Sequence, residues 1–153
     1  MKVLGFRADP QAVRIALVEA DNHQFTLLNA ASDNKLTFPA QCTSEADQLK
    51  WLYREIERIF HEHEDISRVV IKSNEFVGTG SKAKRFSSYE EAVLILFCGL
   101  KGVPVSVKTY SSLSTKSSDV KAHAAARVGQ TTKYWDTKMA DAVVAAWWGG
   151  HNQ

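Results

Sequence analysis

The sequence has little cysteine, little excess charge and no long apolar run. Only Cys42 and Cys98 occur in 153 residues. They are far apart and in no metal-ligand spacing, which excludes a disulfide-built scaffold and a cysteine-based zinc module. One disulfide or two reduced thiols remain, and reduced thiols in a cytoplasmic protein fit better. No stretch of eighteen apolar residues appears, and Met1 to Gly5 opens no long apolar segment, so neither a membrane span nor a secretory leader is expected. The 19 basic and 17 acidic residues leave a net charge of +2. That balance does not announce nucleic-acid binding; a local basic patch would be needed.

Internal repeats and low-complexity tracts are also missing, as is any Ser/His/Asp or Cys/His arrangement at a telling spacing. The histidines are scattered. His61 and His63, two apart on a helix, point roughly 160° from each other. His23, His123 and His151 have no Cys or Asp at ligand spacing. No metal site and no cofactor are expected.

What is present is the composition of one globular α/β domain, 44% hydrophobic and 24% charged. Lys2 to Ala8, Ala12 to Ala20 and His23 to Asn29 read as strands joined by the turns Asp9-Pro10-Gln11 and Asp21-Asn22, which makes an antiparallel meander. Ala30 to Gln41 reads as a polar surface connection. Thr43 or Ser44 then caps a helix whose Leu49, Leu52, Ile56, Ile59 and Phe60 form one stripe. Ser67 to Lys72 is a short apolar strand of the kind covered on both faces.

A loop rich in glycine and lysine follows, from Gly78 to Arg85. A second helix is expected from Ser87 or Ser88, with Glu90 and Glu91 in its first turn. Val103 to Lys108 is a fifth strand, Asp119 to Val128 a helix, and Asp136 to Trp148 a last helix ended by Gly149-Gly150. Asp136 reads as its N-cap. The expected architecture is a five-stranded mixed sheet, three strands antiparallel and two parallel, with helices on both faces over residues 1–153.

That order resembles the RuvC-like branch of the ribonuclease H-like nucleases. Val3-Leu4-Gly5-Phe6-Arg7-Ala8-Asp9-Pro10 resembles their first strand, an apolar run leading into Gly-Ile-Asp-Pro-Gly. Met139 to Trp147 resembles their last helix, which carries Asp-Ala-x-Asp-Ala-Leu-Ala. Ala92 to Val107 resembles the helix that leads through Gly-x-Pro-Val into the fifth strand. The chain also resembles a small bacterial family of RuvC relatives, to which no function is attached, whose fourth strand likewise ends in Ile-Lys.

The resemblance implies a site of about four carboxylates holding two divalent ions. This sequence departs from it at three of the four matching positions. Arg7 stands on the first strand, Lys72 ends the fourth, and Lys138 replaces the first acid of the last helix; Asp141 alone remains. A hard divalent ion needs oxygen ligands. The four residues together bring about +2 at neutral pH, so the expected outcome is a site that repels Mg²⁺.

Three functions compete. Arg7, Lys72 and Lys138, with Lys82, Lys84 and Arg85 of the loop, could bind phosphate groups of single-stranded or branched nucleic acid. Against that, Arg7 could simply pair with Asp141 and fill the space. Phe86 and Tyr89 are the better candidates for base stacking; Trp147 and Trp148 read as core or interface. Alternatively, Asp9, Glu75, Glu90, Glu91, Asp136 and Asp141 could supply a relocated acidic, Mg²⁺-dependent nuclease site. In the third reading the protein is a structural or regulatory homodimer joined through Ala92 to Leu100 or the last helix.

Overall fold

The chain opens on two largely apolar, buried strands. The computed structural model describes residues 1–75 and 80–153. β1 (Lys2–Arg7) and β2 (Ala12–Asp21) pair antiparallel. The turn between them is built by Asp9, whose carboxylate accepts the backbone N–H groups of Gln11 and Ala12. Asn22 and His23 both take positive φ, the geometry of a tight hairpin, and lead into β3 (Gln24–Leu27).

The expected surface connection contains a sixth strand. β4 (Lys35–Thr37) pairs antiparallel with β2, so the sheet has six strands rather than five. Three residues with Leu36 as the only apolar member give too short a pattern to read; the buried Leu36 and the backbone ladder hold the strand in place.

α1 (Glu45–Glu62) starts where Ser44 accepts the N–H of Asp47, and it buries Leu52, Ile56, Ile59 and Phe60. β5 (Ile66–Lys72) then runs parallel to β1, and β6 (Val105–Lys108) runs parallel to β5. The strand order is β3-β2-β1-β5-β6, with β4 beside β2.

Between β5 and β6 lies α2 (Lys82–Lys101), which begins earlier than its serines suggest. Ser81 is the cap, accepting the N–H of Lys84, and Lys, Ala and Arg are good helix formers. Ser87 is buried inside the helix, and Glu90 and Glu91 lie in its middle rather than in its first turn. Gly78 and Thr79 lie outside the described residues.

After α3 (Val120–Arg127), Asp136 caps α4 (Thr137–His151) by accepting the N–H of Met139. Gly149 and Gly150 continue this helix instead of ending it. A Cβ on Gly149 would stand 2.7 Å from Val3 and 2.8 Å from Val70, so these glycines let the helix lie flat on the sheet. The same closeness recurs at Gly5, where a Cβ would meet the Ala142 carbonyl oxygen at 1.9 Å.

Two cores result. α1 and α2 cover Leu4, Phe6, Ile15, Val69 and Ile71 on one face. α3 and α4 cover Val3, Ala16, Val18 and Val70 on the other. Both cysteines are free, with Cys98 buried. No helix among the described residues is long and apolar enough to cross a membrane.

Candidate functional site

Register brings cations together at one end of the sheet. Arg7 ends β1 and stands opposite Lys72, the end of β5. Arg14 faces Arg7 from β2, Lys35 faces Arg14 from β4, and Lys108 faces Lys72 from β6. Five cations thus stand abreast on five strands. Like charges directly opposite each other destabilise a sheet, so the row requires counter-groups.

These come from the segments that cover that end of the sheet. Arg7 Nε donates to Asp141 of α4 at 2.8 Å, and its Nη1 donates to the Ala8 carbonyl. The other Asp141 oxygen accepts the Tyr110 hydroxyl at 2.8 Å. Lys72 is fully buried. Its ammonium lies 3.2 Å from Glu75 and 3.8 Å above the Tyr110 ring. Glu75 also accepts the Tyr110 backbone N–H. Arg14 bridges Asp136 at 2.9 Å and Asp9 at 3.4 Å, and Lys138 pairs with Asp9. At the two ends of the row, Lys35 sits over the Tyr134 ring and Lys108 over Trp148.

The sequence count of about +2 therefore changes once neighbours are included. Arg7, Arg14, Lys72 and Lys138 meet Asp9, Asp136, Asp141 and Glu75, and the ring closes near neutrality. Burial alone would raise the Asp9 carboxyl, but the hydrogen bond and charge of Lys138 and two backbone N–H groups bring it below its ordinary value. Glu75 is lowered likewise, against its own desolvation, by the Tyr110 N–H and Lys72. Desolvation lowers Lys72 and raises Asp141, in each case against the pull of opposite charges.

Glu90 is the exception. It is fully buried on α2, and among the described residues neither carboxylate oxygen has a hydrogen-bond partner. Burial, with Asp9 and Glu91 adding repulsion, pushes it up to about 9, so it is a neutral acid at pH 7.

Of the matched positions only Asp141 is a carboxylate, and both of its oxygens are engaged. Among the described residues no three His, Cys, Asp or Glu side chains group so as to hold a metal ion.

Of the six cations expected to meet an anion, Arg7 and Lys72 are buried and paired with Asp141 and Glu75. Lys138 is half-exposed and tied to Asp9. Lys82, Lys84 and Arg85 lie on the first turns of α2, with Lys82 and Arg85 exposed. Sequence reasoning missed Arg14 and Tyr110. An arginine inside the apolar run Ala12 to Ala20 was a signal for Arg14; nothing local marks Tyr110.

Three solved structures share this architecture. Thermus thermophilus RuvC matches at 12% identity over 99% of this chain and 97% of that one, with a TM-score of 0.78. T. thermophilus RuvC in complex with Holliday junction substrate matches at 14% identity over 96% and 91%, with a TM-score of 0.76. The yeast mitochondrial Holliday junction resolvase Ydc2 matches at 9% identity over 98% and 80%, with a TM-score of 0.61. No family model and no curated protein matches the sequence. The chain has the RuvC-like form of the ribonuclease H-like fold.

Proposed function

We propose that this RuvC-fold chain is a non-catalytic module that contacts a nucleic-acid backbone beside a buried cluster of ion pairs. The observation that carries the reading is the buried Arg7–Asp141 pair, which sets a guanidinium at the end of β1 where a nuclease of this fold would need an oxygen ligand. Lys72 and Lys138, each held by its own carboxylate, extend the same substitution. The paired cations are taken up by their own carboxylates and do not reach an external phosphate.

Backbone contact falls instead to Lys82 and Arg85. Both are exposed at the positive N-terminal end of α2, a setting that favours anions. One fold neighbour, T. thermophilus RuvC, is seen in complex with a Holliday junction substrate, which makes branched DNA the first ligand to try.

A relocated acidic nuclease site is less well supported. Asp9, Glu75, Asp136 and Asp141 each answer a cation or a backbone N–H.

The test is an anisotropy titration with labelled single-stranded and four-way-junction DNA at two salt concentrations, run beside a cleavage assay in Mg²⁺ and Mn²⁺. Salt-sensitive binding without cleavage is expected. No binding at low salt, or metal-dependent cutting, overturns the reading.

A further inference from the structure

The strand β6 ends the sheet, and one side of its backbone has no partner. It pairs with β5 alone, in parallel. The Val69 N–H donates to the Pro104 carbonyl, and the Ser73 N–H donates to the Lys108 carbonyl. In a parallel ladder, alternate residues turn their N–H and C=O toward the neighbouring strand. Pro104, Ser106 and Lys108 therefore face β5, and the N–H and C=O groups of Val105 and Val107 point outward. Among the described residues nothing takes them up.

Exposed edges are normally blunted by a proline, a bulge or an outward charge. From Val105 to Val107 this edge has no proline, no charge and no break in register, and Val107 is 46% exposed. Beside the edge, on the α4 face of the sheet, lies a groove of about 220 Å³ lined by Arg68, Pro104, Val105, Ser106 and Trp148. A cation stands at each end of it. Arg68 is level with Pro104, one residue before the Val69–Val105 pair, and Lys108 lies four residues further on, ~13 Å along an extended chain. Among the described residues neither cation has a carboxylate. Arg68 donates to the Gly149 and Asn152 carbonyls, and the Lys108 ammonium sits 4.1 Å above the Trp148 ring.

We propose that β6 receives an extended, acidic segment of a partner protein as an added strand. A polypeptide backbone supplies the alternating donors and acceptors that the two valines present, the basis of strand addition at a sheet edge. A phosphodiester backbone has acceptors but no donors, so nucleic acid would leave both valine carbonyls unanswered.

The charges select the sequence of the added strand. Its side chains alternate between the two faces of the sheet. On the α4 face, three of them in turn meet Arg68, the groove beside Ser106 and Trp148, and Lys108. The matching pattern is acid-x-apolar-x-acid. It reads the same in both directions, so parallel and antiparallel addition satisfy it equally. A second copy of β6 fits poorly, because it would bring its own Arg68 and Lys108 against the same cations. The proposal stands on the outward backbone of β6 and does not depend on the nucleic-acid reading.

Fluorescence anisotropy of the full chain with a labelled synthetic peptide, Gly-Thr-Glu-Thr-Val-Thr-Glu-Thr-Gly, tests it. The peptide is expected to bind, more weakly as salt rises. The same peptide with lysine for both glutamates should bind at least tenfold more weakly. Val107→Pro removes an outward N–H and leaves the ladder to β5 whole, since an edge strand accepts proline on its open side. It should weaken the glutamate peptide at least tenfold with the circular dichroism spectrum unchanged. Lys108→Glu should weaken it likewise through charge, with no change to the backbone. No binding at millimolar peptide overturns the proposal. So does equal affinity for the lysine peptide, or binding that survives both Val107→Pro and Lys108→Glu. Single-stranded DNA binding that Val107→Pro abolishes would assign the edge to nucleic acid, and self-association that Val107→Pro abolishes would assign it to a second copy; either overturns the proposal too.

Discussion

Arg7 and Asp141 are 134 positions apart in the chain, yet their side chains meet at 2.8 Å inside the protein. The contact joins the end of β1 to the second turn of α4. Gly5 makes it possible two residues earlier, because only a residue without a Cβ lets α4 come this close to β1.

Removing one member of that pair leaves a buried charge. Arg7→Ala should destabilise the protein by about 3–5 kcal/mol at pH 7. Asp141 can then relieve the penalty by taking up a proton, so the gap to wild type should narrow as the pH falls toward 5. Urea denaturation at the two pH values measures this. A gap of the same size at both would mean that the carboxylate was not stranded.

Glu90 gives a second pH dependence of known sign. Its folded pKa, about 9, lies above its unfolded value of 4.5. Its contribution to stability is therefore complete below pH 4.5 and is lost progressively as pH rises to about 9. Glu90→Gln, neutral at every pH, should raise the melting temperature at pH 8 and change it little at pH 4. Equal shifts at both would contradict a protonated carboxyl in the wild type.

Much of this fold could be read from the sequence. The apolar stripe of α1 and the continuous run Val69-Val70-Ile71 placed two elements, and Asp136 was recognisable as a cap. β4 was not, because three residues around Leu36 make no period. The start of α2 was misread because Ser87-Ser88 offers the same capping chemistry as Ser81, and only burial distinguishes them. Gly149-Gly150 imitates a helix stop; its role is close approach to Val3, Val70 and Phe25, which no local pattern encodes.

The site was half legible. The cations Arg7, Lys72 and Lys138 stood out once the strand ends were aligned. Their partners Glu75 and Tyr110 come from other loops, and the row they share with Arg14, Lys35 and Lys108 is a property of strand register.

Gly5→Ala tests how tightly α4 is seated. The added Cβ would press on the Ala142 carbonyl and the Ala146 nitrogen, which are backbone atoms that cannot turn away. Overpacking of this kind costs about 1–3 kcal/mol or more. A variant as stable as wild type by thermal denaturation would show that the helix has room to lift.

Lys82→Glu combined with Arg85→Glu should reduce DNA affinity at low salt by at least tenfold and flatten the salt dependence, since each lost phosphate contact reduces the slope by about one. Both side chains are exposed, so stability should change little. Unaltered binding in the double variant would place the nucleic-acid contact elsewhere.

Anomalous diffraction from a crystal soaked in Mn²⁺ tests directly the proposal that Arg7 and Lys72 stand where a nuclease of this fold needs metal ligands. The expected map has no anomalous peak between the ends of β1 and β5, with Arg7 still on Asp141 and Lys72 still beside Glu75. A manganese ion coordinated there by Asp141, Asp9 or Glu90, with Arg7 swung aside, would contradict it.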